Sequence, residues 1–491
     1  MTFGVDRRTG ARLDPGVPET SLTELEAMLG DAAATASAYA ATTPGRREEI
    51  LRALADALDG GADRLIETAV AETGLTRERL EGELARTTSQ LRFLGEVAVD
   101  GAFLDVVVDT RADMRSWLVP VGPVLVYAAS NFPFAFGVLG GDTASALACG
   151  APVVVKAHPS HPRTSVELVT LARRAFDSVG APAQLLSLVV GDARGVQALQ
   201  DPRIRACGFT GSTSGGRFLF DIAASRPEPI PFFGELGSVN PVVVTPGAVT
   251  ARGATLVREF LGSVTGSAGQ LCTKPGLLLL PVGHGLEAEL AEVAALPSQP
   301  MLNDRIAGAL AVGRSELEQS GARLIAQGHP PVADVGWAAP SLYRATTAWV
   351  RENLDIADRE CFGPVALVAE YSDDADLLGT LPLLSGSLTG SVHAEEHEQQ
   401  LASALVQHFA AGAGRVIYNG WPTGVAVGWA THHGGPWPAS TSGHTSVGAS
   451  SIRRWMRQVC YQGVPQPLLP EALTDADPWR APRRVDGVSH R

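Results

Sequence analysis

The sequence predicts an α/β protein whose strands form doubly wound parallel sheets. Between residues 117 and 216, short apolar segments rich in β-branched residues alternate with helical patterns, and this alternation is typical of parallel βαβ units. A second region of the same kind begins near Asn240 and extends to about Trp437. The 491 residues are enough for two or three domains, each with its own core.

The predicted elements follow in chain order. Residues 21–98 have apolar residues at helical spacing, and Ser21 followed by Glu24 matches a capping box at the start of the first helix. Residues 117–127 are interpreted as a strand, a turn and a second strand. The segments predicted next are an alanine-rich helix, a strand ending at Lys156, the helix Thr164–Val179, the strand Gln184–Val190, the helix Gly195–Gln200 and the strand Ile204–Phe209. The polar tail after Leu469 is expected to be loose.

Composition and charge argue against several classes of function. The net charge of −13 disfavours nucleic acid or an anionic membrane as a partner. Neither a transmembrane helix nor a signal peptide is expected, because no run of about 18 apolar residues and no apolar N-terminal segment occur. Five widely spaced cysteines without a CxxC pair disfavour a disulfide framework and favour a reducing, cytoplasmic location.

Only two of the 39 basic residues are lysines, Lys156 and Lys274. Either codon drift or the need for a compact ammonium group explains each of them. Lys156 ends a predicted buried strand. Its side chain therefore either extends to solvent or holds ribose hydroxyls or a phosphate at the carboxyl edge of the sheet.

A glycine-rich segment, Gly211–Gly216 (GSTSGG), follows a predicted apolar strand and opens a helix. Glycines at such a junction let a pyrophosphate approach the backbone N–H groups of the helix start. The same glycine spacing also occurs in ordinary turns, so both interpretations stay open for this segment alone.

Three further residues are candidates for chemistry, each with a structural alternative. Cys272, near the end of Gly262–Gly276, is either a packing residue or a nucleophile toward a carbonyl carbon. Glu235, beside two phenylalanines in a proline-bearing segment, is either an exposed loop residue or a desolvated base with a raised pKa. Asn131, in SNFPF, is either a turn residue or an amide donor suited to an oxyanion.

A series of short motifs resembles the aldehyde dehydrogenase superfamily from about residue 20 to residue 470. In chain order they are SNFPF, VVVKAHPS, GFTGST, GELGSVNP, GSAGQLCT, ECFGP, and NGWPTGVAV followed by HHGGPWPAST. The segments KAHPSHP, RPEPIPFFGELGSVNP and TSVGASSIRRWMRQVCYQ are similar to the 2-oxoglutarate semialdehyde (2,5-dioxopentanoate) dehydrogenase branch. An NADP-preferring fatty-aldehyde branch is also similar.

The resemblance implies a fold of three parts. A Rossmann-like dinucleotide-binding domain is expected over residues 1–107 and 126–238, and an α/β catalytic domain carrying the thiol over residues 239–437. A small β bridging element, residues 108–125 and 438–470, is expected to pair subunits into a homodimer or homotetramer. Residues 471–491 are expected to form the loose tail.

The resemblance also implies roles for individual residues. Cys272 would attack the aldehyde carbon, and the Asn131 amide and the Cys272 N–H would hold the alkoxide. Hydride would pass to the nicotinamide to leave a thioester, and Glu235 would activate the water that releases the acid. The implied cofactor-binding residues are Gly211, Ser212 and Gly216 at the pyrophosphate, and Glu360 with its neighbour Phe362 at the nicotinamide ribose.

One departure from the family pattern concerns the cofactor. Many NAD-preferring relatives have a glutamate three residues after the strand-end lysine, where this sequence has Pro159. No carboxylate is then expected to repel a 2′-phosphate, and Lys156, His158 and Arg194 are possible sources of positive charge. NADP is therefore expected to be at least as good a cofactor as NAD.

The substrate is less closely defined by the sequence. The carboxylate of 2,5-dioxopentanoate requires an arginine or a helix N-terminus, but none of the 37 arginines can be singled out. A fatty aldehyde requires an apolar tunnel instead. The neighbourhoods of Trp421–Pro422 and Trp437–Pro438 suit either substrate.

Three other classes of function are alternatives to this interpretation. A non-catalytic binding protein is expected to lack the thiol or the base, and a CoA-acylating dehydrogenase is expected to lack Glu235. A cysteine hydrolase needs a histidine beside the thiol, and the sequence places none there. His432 and His433 are expected in a pocket or loop rather than as a metal pair, and no metal site is expected.

Overall fold

The first sheet is a five-stranded parallel sheet of doubly wound topology. The computed structural model describes residues 1–330 and 336–490. From one edge to the other, the strands of this sheet are Leu186–Val189, Val153–Lys156, Val124–Tyr127, Ala206–Thr210 and Phe232–Glu235. Numbered along the chain, their spatial order is 3-2-1-4-5, as in a dinucleotide-binding sheet. This topology confirms the predicted fold class.

The helices of this region connect its strands. They are Gly141–Cys149, Pro162–Ser178, Asp192–Gln200 and Thr213–Ser225. Lys156 lies opposite Val189, and Thr210 lies opposite Glu235, in the parallel registers of neighbouring strands. Lys156 and Glu235 therefore end two strands at the same carboxyl edge, which is the edge where such sheets bind ligands.

Four helices precede this sheet, and a short hairpin precedes them. The helices are Leu22–Ala40, Pro44–Gly60, Ala62–Thr73 and Arg77–Asp100, and the hairpin strands are Thr2–Val5 and Arg12–Val17. The predicted capping box is confirmed, because Ser21 Oγ accepts from Glu24 N at 3.2 Å and Ser21 N donates to Glu24 Oε2 at 2.7 Å. Buried leucines such as Leu51, Leu54 and Leu91 form the core between these helices.

The second large sheet has seven strands. In spatial order they are Arg323–Gln327, Ser341–Thr346, Val365–Tyr371, Leu277–Pro281, Pro241–Val244, Ser387–His393 and Ala413–Tyr418. All neighbouring pairs are parallel except the first. Its helices are Pro246–Thr265, Glu287–Ala291, Asp304–Gln319, Thr347–Glu352, Leu354–Ala357, Asp374–Thr380 and Gln399–Gly412. A short ladder pairs Gln299–Pro300 with Trp337–Ala338.

The third sheet brings residues 106–120 together with residues 456–490, near the C-terminus. Its strands, in spatial order, are Met456–Gln462, Met114–Pro120, Val106–Asp109, Arg483–Val485 and Val488–His490. The segment 117–127, predicted as strand, turn and strand, therefore supplies strands to two different sheets. None of the helices in the described part of the chain is both long and apolar enough to cross a bilayer.

The prediction of a loose tail over residues 471–491 is wrong for its described part. The strand Arg483–Val485 pairs in parallel with Val106–Val108, and Ala472, Leu473 and Ala481 are buried. Arg115 also donates to the Leu473 carbonyl at 2.6 Å. The polar composition was misleading because this segment is ordered by backbone pairing at a free sheet edge and by a few small apolar contacts.

Candidate active site

The loop that carries Cys272 lies between the helix Pro246–Thr265 and the strand Leu277–Pro281. It begins with the left-handed residues Ser267 and Ala268, with φ of 53° and 56°, followed by Gly269 with φ of 64°. A Cβ at Gly269 would lie 2.2 Å from the Gly363 carbonyl oxygen. Glycine is therefore required where the thiol-bearing loop packs against the ECFGP segment.

The buried side chain of Asn240 holds the thiol-bearing loop by hydrogen bonds to its backbone. Its Nδ2 donates to the backbone carbonyls of Cys272 at 2.8 Å and Lys274 at 3.0 Å. Its Oδ1 accepts from the N–H of Thr389 at 3.2 Å. The side chain is fully buried, and the residue has a φ of 55°. The backbone position of the thiol is thus held by a neutral amide in the interior.

A histidine that the sequence could not place lies beside the thiol. The distance from Cys272 Sγ to His433 Nε2 is 3.4 Å, and His433 Nε2 lies 2.9 Å from Glu235 Oε1. The second contact is at ion-pair distance, and among the described residues Oε1 accepts no hydrogen bond. The other carboxylate oxygen, Oε2, accepts from the Ser446 hydroxyl. Cys272, Glu235 and His433 therefore form one cluster.

The predicted rise in the pKa of Glu235 is wrong. Burial raises the pKa of this carboxyl, but attraction to His433 and contacts with His433, Ser446 and Cys272 outweigh burial, so the pKa lies below its ordinary value. Burial raises the pKa of the Cys272 thiol well above its ordinary value, and the nearby Glu235 adds to the effect. The resting thiol is therefore protonated and needs a base.

The same three side chains could hold a metal ion. Their sulfur, nitrogen and oxygen ligand atoms lie within 4.8 Å of one another, and this donor set is one that zinc accepts. The expectation of no metal site thus overlooked one cluster of suitable composition. Because Glu235 and Cys272 are the predicted base and nucleophile, we interpret the cluster as a reaction centre.

Asn131 lies close to the thiol-bearing loop. Its Nδ2 donates to the backbone carbonyl of Gln270 at 2.9 Å, and the side chain is buried. Gln270 precedes Cys272 by two residues, so the structure brings the three predicted catalytic residues into one region. One N–H of the amide is engaged by Gln270, and an alkoxide would have to use the other.

Lys156 lies at a small cavity at the carboxyl edge of the first sheet, with a volume of about 90 Å³. Its ammonium group pairs with the Asp192 carboxylate, and Glu19 also lines the cavity. The expectation that no carboxylate lies here is therefore wrong. The expectation was based on Pro159 alone, whereas the carboxylate that pairs with Lys156 belongs to Asp192, at the start of a later helix.

Two other predicted sources of positive charge do not contribute as expected. Burial lowers the pKa of His158 well below its ordinary value, with help from His161 and Lys156, so its imidazole is neutral near pH 7. Arg194 donates from Nε to the Thr20 carbonyl at 2.9 Å and is not among the residues that line the cavity. Lys156 is thus the main cation of this cavity.

The glycine-rich segment is open at the start of the helix Thr213–Ser225. Ser212 caps this helix, with its Oγ accepting from Gly215 N at 3.3 Å, and Gly211 and Ser212 are exposed. A Cβ at Gly216 would lie 2.1 Å from the Leu236 side chain. Packing therefore explains Gly216, whereas the exposed helix start remains available to a phosphate.

Glu360 and Phe362 are partly exposed near the thiol-bearing loop. Burial raises the pKa of Glu360 to about 8, against the attraction of the Lys274 ammonium. Lys274 is buried and donates to the carbonyls of Cys361 at 3.0 Å and Val365 at 2.7 Å. The second of the two lysines therefore holds the segment that carries Glu360, with both hydrogen bonds donated from a single ammonium nitrogen.

Comparisons with known proteins identify the family. The model of the family described as "Aldehyde dehydrogenase family" matches residues 15–459. Alpha-ketoglutaric semialdehyde dehydrogenase 2 of Azospirillum brasilense is 42% identical over 468 residues, which cover 92% of this chain and 89% of the relative. Alpha-ketoglutaric semialdehyde dehydrogenase of Acinetobacter baylyi is 39% identical, with 92% and 88% coverage.

Solved structures of low sequence identity share the fold. A mutant of aldehyde dehydrogenase C from Pseudomonas syringae, complexed with NAD⁺ and octanal, superposes with a TM-score of 0.81 at 18% identity and covers 94% of this chain and 93% of that one. A 1-pyrroline-5-carboxylate dehydrogenase from Thermus with bound NAD gives 0.81 at 19% identity, with 94% and 89% coverage. Together with the family match, these similarities show that the chain belongs to the aldehyde dehydrogenase family.

Proposed function

We propose that the protein oxidises 2,5-dioxopentanoate to 2-oxoglutarate with NAD or NADP. The observation that carries the proposal is the cluster of Cys272, His433 and Glu235 at the carboxyl edge of a dinucleotide-type sheet. The substrate is suggested by the names of the two relatives at 42% and 39% identity. NADP-dependent oxidation of a fatty aldehyde is the second choice.

The cluster supports a reaction in two stages. His433 Nε2, 3.4 Å from Sγ, accepts the thiol proton, and the resulting imidazolium is stabilised by Glu235. The thiolate adds to the aldehyde carbon, and the second N–H of Asn131 and the Cys272 N–H donate to the oxyanion. After hydride loss leaves a thioester on sulfur, Glu235 takes a proton from the water that releases the acid.

The chain offers suitable groups for a nicotinamide dinucleotide. Lys156 and its cavity would hold the adenosine side, the exposed start of the helix Thr213–Ser225 would hold the pyrophosphate, and Glu360 would hold the nicotinamide ribose. The bound cofactor supplies the hydride acceptor. These groups are spread along the carboxyl edge of the first sheet and toward the thiol-bearing loop, as the proposed reaction requires.

A substrate panel with each cofactor, read as absorbance at 340 nm, tests the proposal. We expect kcat/KM for 2,5-dioxopentanoate to exceed that for hexanal at least tenfold. A preference for hexanal would favour the fatty-aldehyde alternative.

The contact between Cys272 and His433 also makes a cysteine hydrolase a further candidate function, in addition to the fatty-aldehyde alternative. Hydrolysis of an ester without cofactor that is faster than any aldehyde oxidation would favour it.

His433 is expected to be needed for thiol activation. Substitution of His433 by glutamine should lower kcat/KM by about 100-fold, because general-base assistance contributes about 10²–10⁴ in rate. The rate of Cys272 alkylation by iodoacetamide should fall in parallel. His432→Gln is a matched control. This neighbouring histidine is only half-buried, and among the described residues it forms no hydrogen bond with the thiol. Equal losses in the two variants would contradict the assignment.

We also infer that NADP serves at least as well as NAD as the cofactor. We further infer that Asp192 reduces the preference for NADP over NAD. Pro159 brings no carboxylate to the cavity, but Asp192 neutralises Lys156. Asp192→Asn should free the ammonium for a 2′-phosphate and raise the ratio of kcat/KM for NADP to that for NAD by about tenfold, or ~1.4 kcal/mol. An unchanged ratio would contradict this role for Asp192. A wild-type preference for NAD above about 30-fold, or ~2 kcal/mol, would contradict the cofactor proposal itself.

Two other features support our proposals for the assembly and the location of the protein. The strand Met456–Gln462 is an edge strand of the third sheet, and its free edge supports pairing with a second subunit in a homodimer or homotetramer. All five cysteines are free, and Cys460 is exposed. Free thiols of this kind support a cytoplasmic, reducing location.

A further inference from the structure

Arg86 carries an unpaired guanidinium close to the reaction centre. In the described residues it forms no ion pair, its Nη1 is buried without a hydrogen-bond partner, and its Nε donates to the Val425 carbonyl only at 3.4 Å. Arg79, two turns earlier on the same helix, pairs with Glu83 at 2.7 Å. Arg79 also has one buried nitrogen without a partner, but its ion pair with Glu83 holds the rest of its guanidinium, whereas Arg86 has a single long hydrogen bond among the described residues.

A chain of contacts connects Arg86 to the thiol. Its guanidinium lies over the ring of Phe136 at 5.4 Å, and the Phe136 ring lies 6.4 Å from that of His433. His433 in turn contacts Cys272 Sγ at 3.4 Å. Burial lowers the pKa of the Arg86 guanidinium, and the nearby carboxylates of Glu83 and Glu235 act against burial. In this chain of contacts, the two aromatic rings of Phe136 and His433 connect Arg86 to the place where an aldehyde carbon would react.

Each acidic side chain near Arg86 already has other partners, so among the described residues none of them forms an ion pair with its guanidinium. The resting thiol is protonated, and Glu235 is engaged by His433 and Ser446. Glu83 is bound by Arg79 and by the backbone N–H groups of residues 134 and 135. An arriving anion would therefore find a free, partly desolvated guanidinium, the group best suited to a carboxylate.

Apolar side chains surround the Phe136 ring that Arg86 contacts. Phe136 belongs to an apolar cluster against which Phe132, Val425 and Val427 pack, and this cluster suits the methylene groups of a short aldehyde. Arg415 is a second guanidinium that interacts electrostatically with Cys272. Its Nε is also buried without a partner, but its two Nη groups donate to the carbonyls of Gly424 at 3.0 Å and Pro422 at 2.7 Å, so it has less capacity left for a ligand than Arg86.

We propose that Arg86 binds the distal carboxylate of an ω-aldehyde acid and thereby selects this substrate class. The proposal rests on the proposed function, since it assumes aldehyde oxidation at Cys272. It distinguishes a carboxylate-bearing aldehyde from a fatty aldehyde by one named side chain. Substitution of that side chain should change selectivity between the two substrates and should leave the chemical step intact.

The test compares Arg86→Met with wild type on a charged and a neutral aldehyde. With 2,5-dioxopentanoate, we expect kcat/KM to fall at least 30-fold, mostly through KM. With pentanal, it should be unchanged or higher. Arg86→Lys should retain part of the preference for the charged aldehyde. Arg92→Met is the matched control, because Arg92 lies on the same helix but pairs with Asp56 and Asp59 at the surface.

The outcomes separate this proposal from the proposed function. A wild-type enzyme that oxidises pentanal better than 2,5-dioxopentanoate would contradict the proposed function itself. A wild type that prefers 2,5-dioxopentanoate, with Arg86→Met losing activity equally on both aldehydes or on neither, would overturn only the role of Arg86. If Arg86→Met does not fold, the same comparison is made with Arg86→Lys, and an unchanged selectivity there overturns the role.

Discussion

Replacement of Cys272 by alanine is expected to lower kcat for aldehyde oxidation by at least about 10⁴-fold, or about 5.5 kcal/mol. The sulfur is the only group of the cluster that can form the covalent adduct from which hydride is lost, and neither His433 nor Glu235 can substitute for it. Substrate and cofactor binding should persist, since the alanine side chain fits within the volume of cysteine. The measurement is steady-state oxidation together with cofactor binding by fluorescence.

Cys460→Ala provides the matched control for the thiol. Cys460 is exposed on the strand Met456–Gln462 of the third sheet, and its removal should leave kcat within about twofold of wild type. A Cys272→Ala enzyme that retained full turnover would show that another group is the nucleophile. Loss of cofactor binding in Cys272→Ala would indicate that the substitution had disturbed the loop held by Asn240.

Replacement of Glu235 by glutamine is expected to lower steady-state turnover by about 10²–10³-fold, within the range for loss of a general base. The loss should lie in hydrolysis of the thioester, because glutamine cannot accept a proton from water. Hydride transfer precedes that step, so the variant should still release a burst of reduced cofactor close to one equivalent per active site. Stopped-flow absorbance at 340 nm measures burst and steady state together.

Ser446→Ala is the control for this prediction. Ser446 donates to the same carboxylate, so its loss changes the surroundings of Glu235 but leaves the base in place. We expect a loss below about tenfold, with no burst. If Glu235→Gln shows slow turnover and no burst, the carboxylate acts mainly before hydride transfer, through His433, and its assignment to the hydrolytic step is wrong.

Much of the fold could be predicted because the relevant signals are local. Alternating strand and helix patterns placed Lys156 at the end of a strand, and the capping pair Ser21 and Glu24 placed the start of the first helix. Helix and strand bounds differ from the predictions by a few residues, as with the helix Pro162–Ser178. The tail was misjudged because its partner strand, Val106–Asp109, lies far from it in the sequence, with Arg483 opposite Val106.

The site was only partly predictable, because its missing members are distant in sequence. His433 is 161 residues from Cys272, and Asp192 is 36 residues from Lys156. Neither of these sequence separations matches a helix, strand or turn spacing that would predict contact between the two side chains. The pKa of Glu235 was predicted in the wrong direction for the same reason, since burial was visible from the neighbouring phenylalanines and His433 was not.

Trapping the acyl-enzyme tests the central claim most directly. Glu235→Gln is mixed with 2,5-dioxopentanoate, with and without oxidised cofactor, and the intact protein and its peptides are analysed by mass spectrometry. The proposed mechanism predicts one acyl group per chain, on the peptide that contains Cys272, only when the cofactor is present. Oxidation of the aldehyde without any acyl group on Cys272, or an acyl group on a different cysteine, would contradict it.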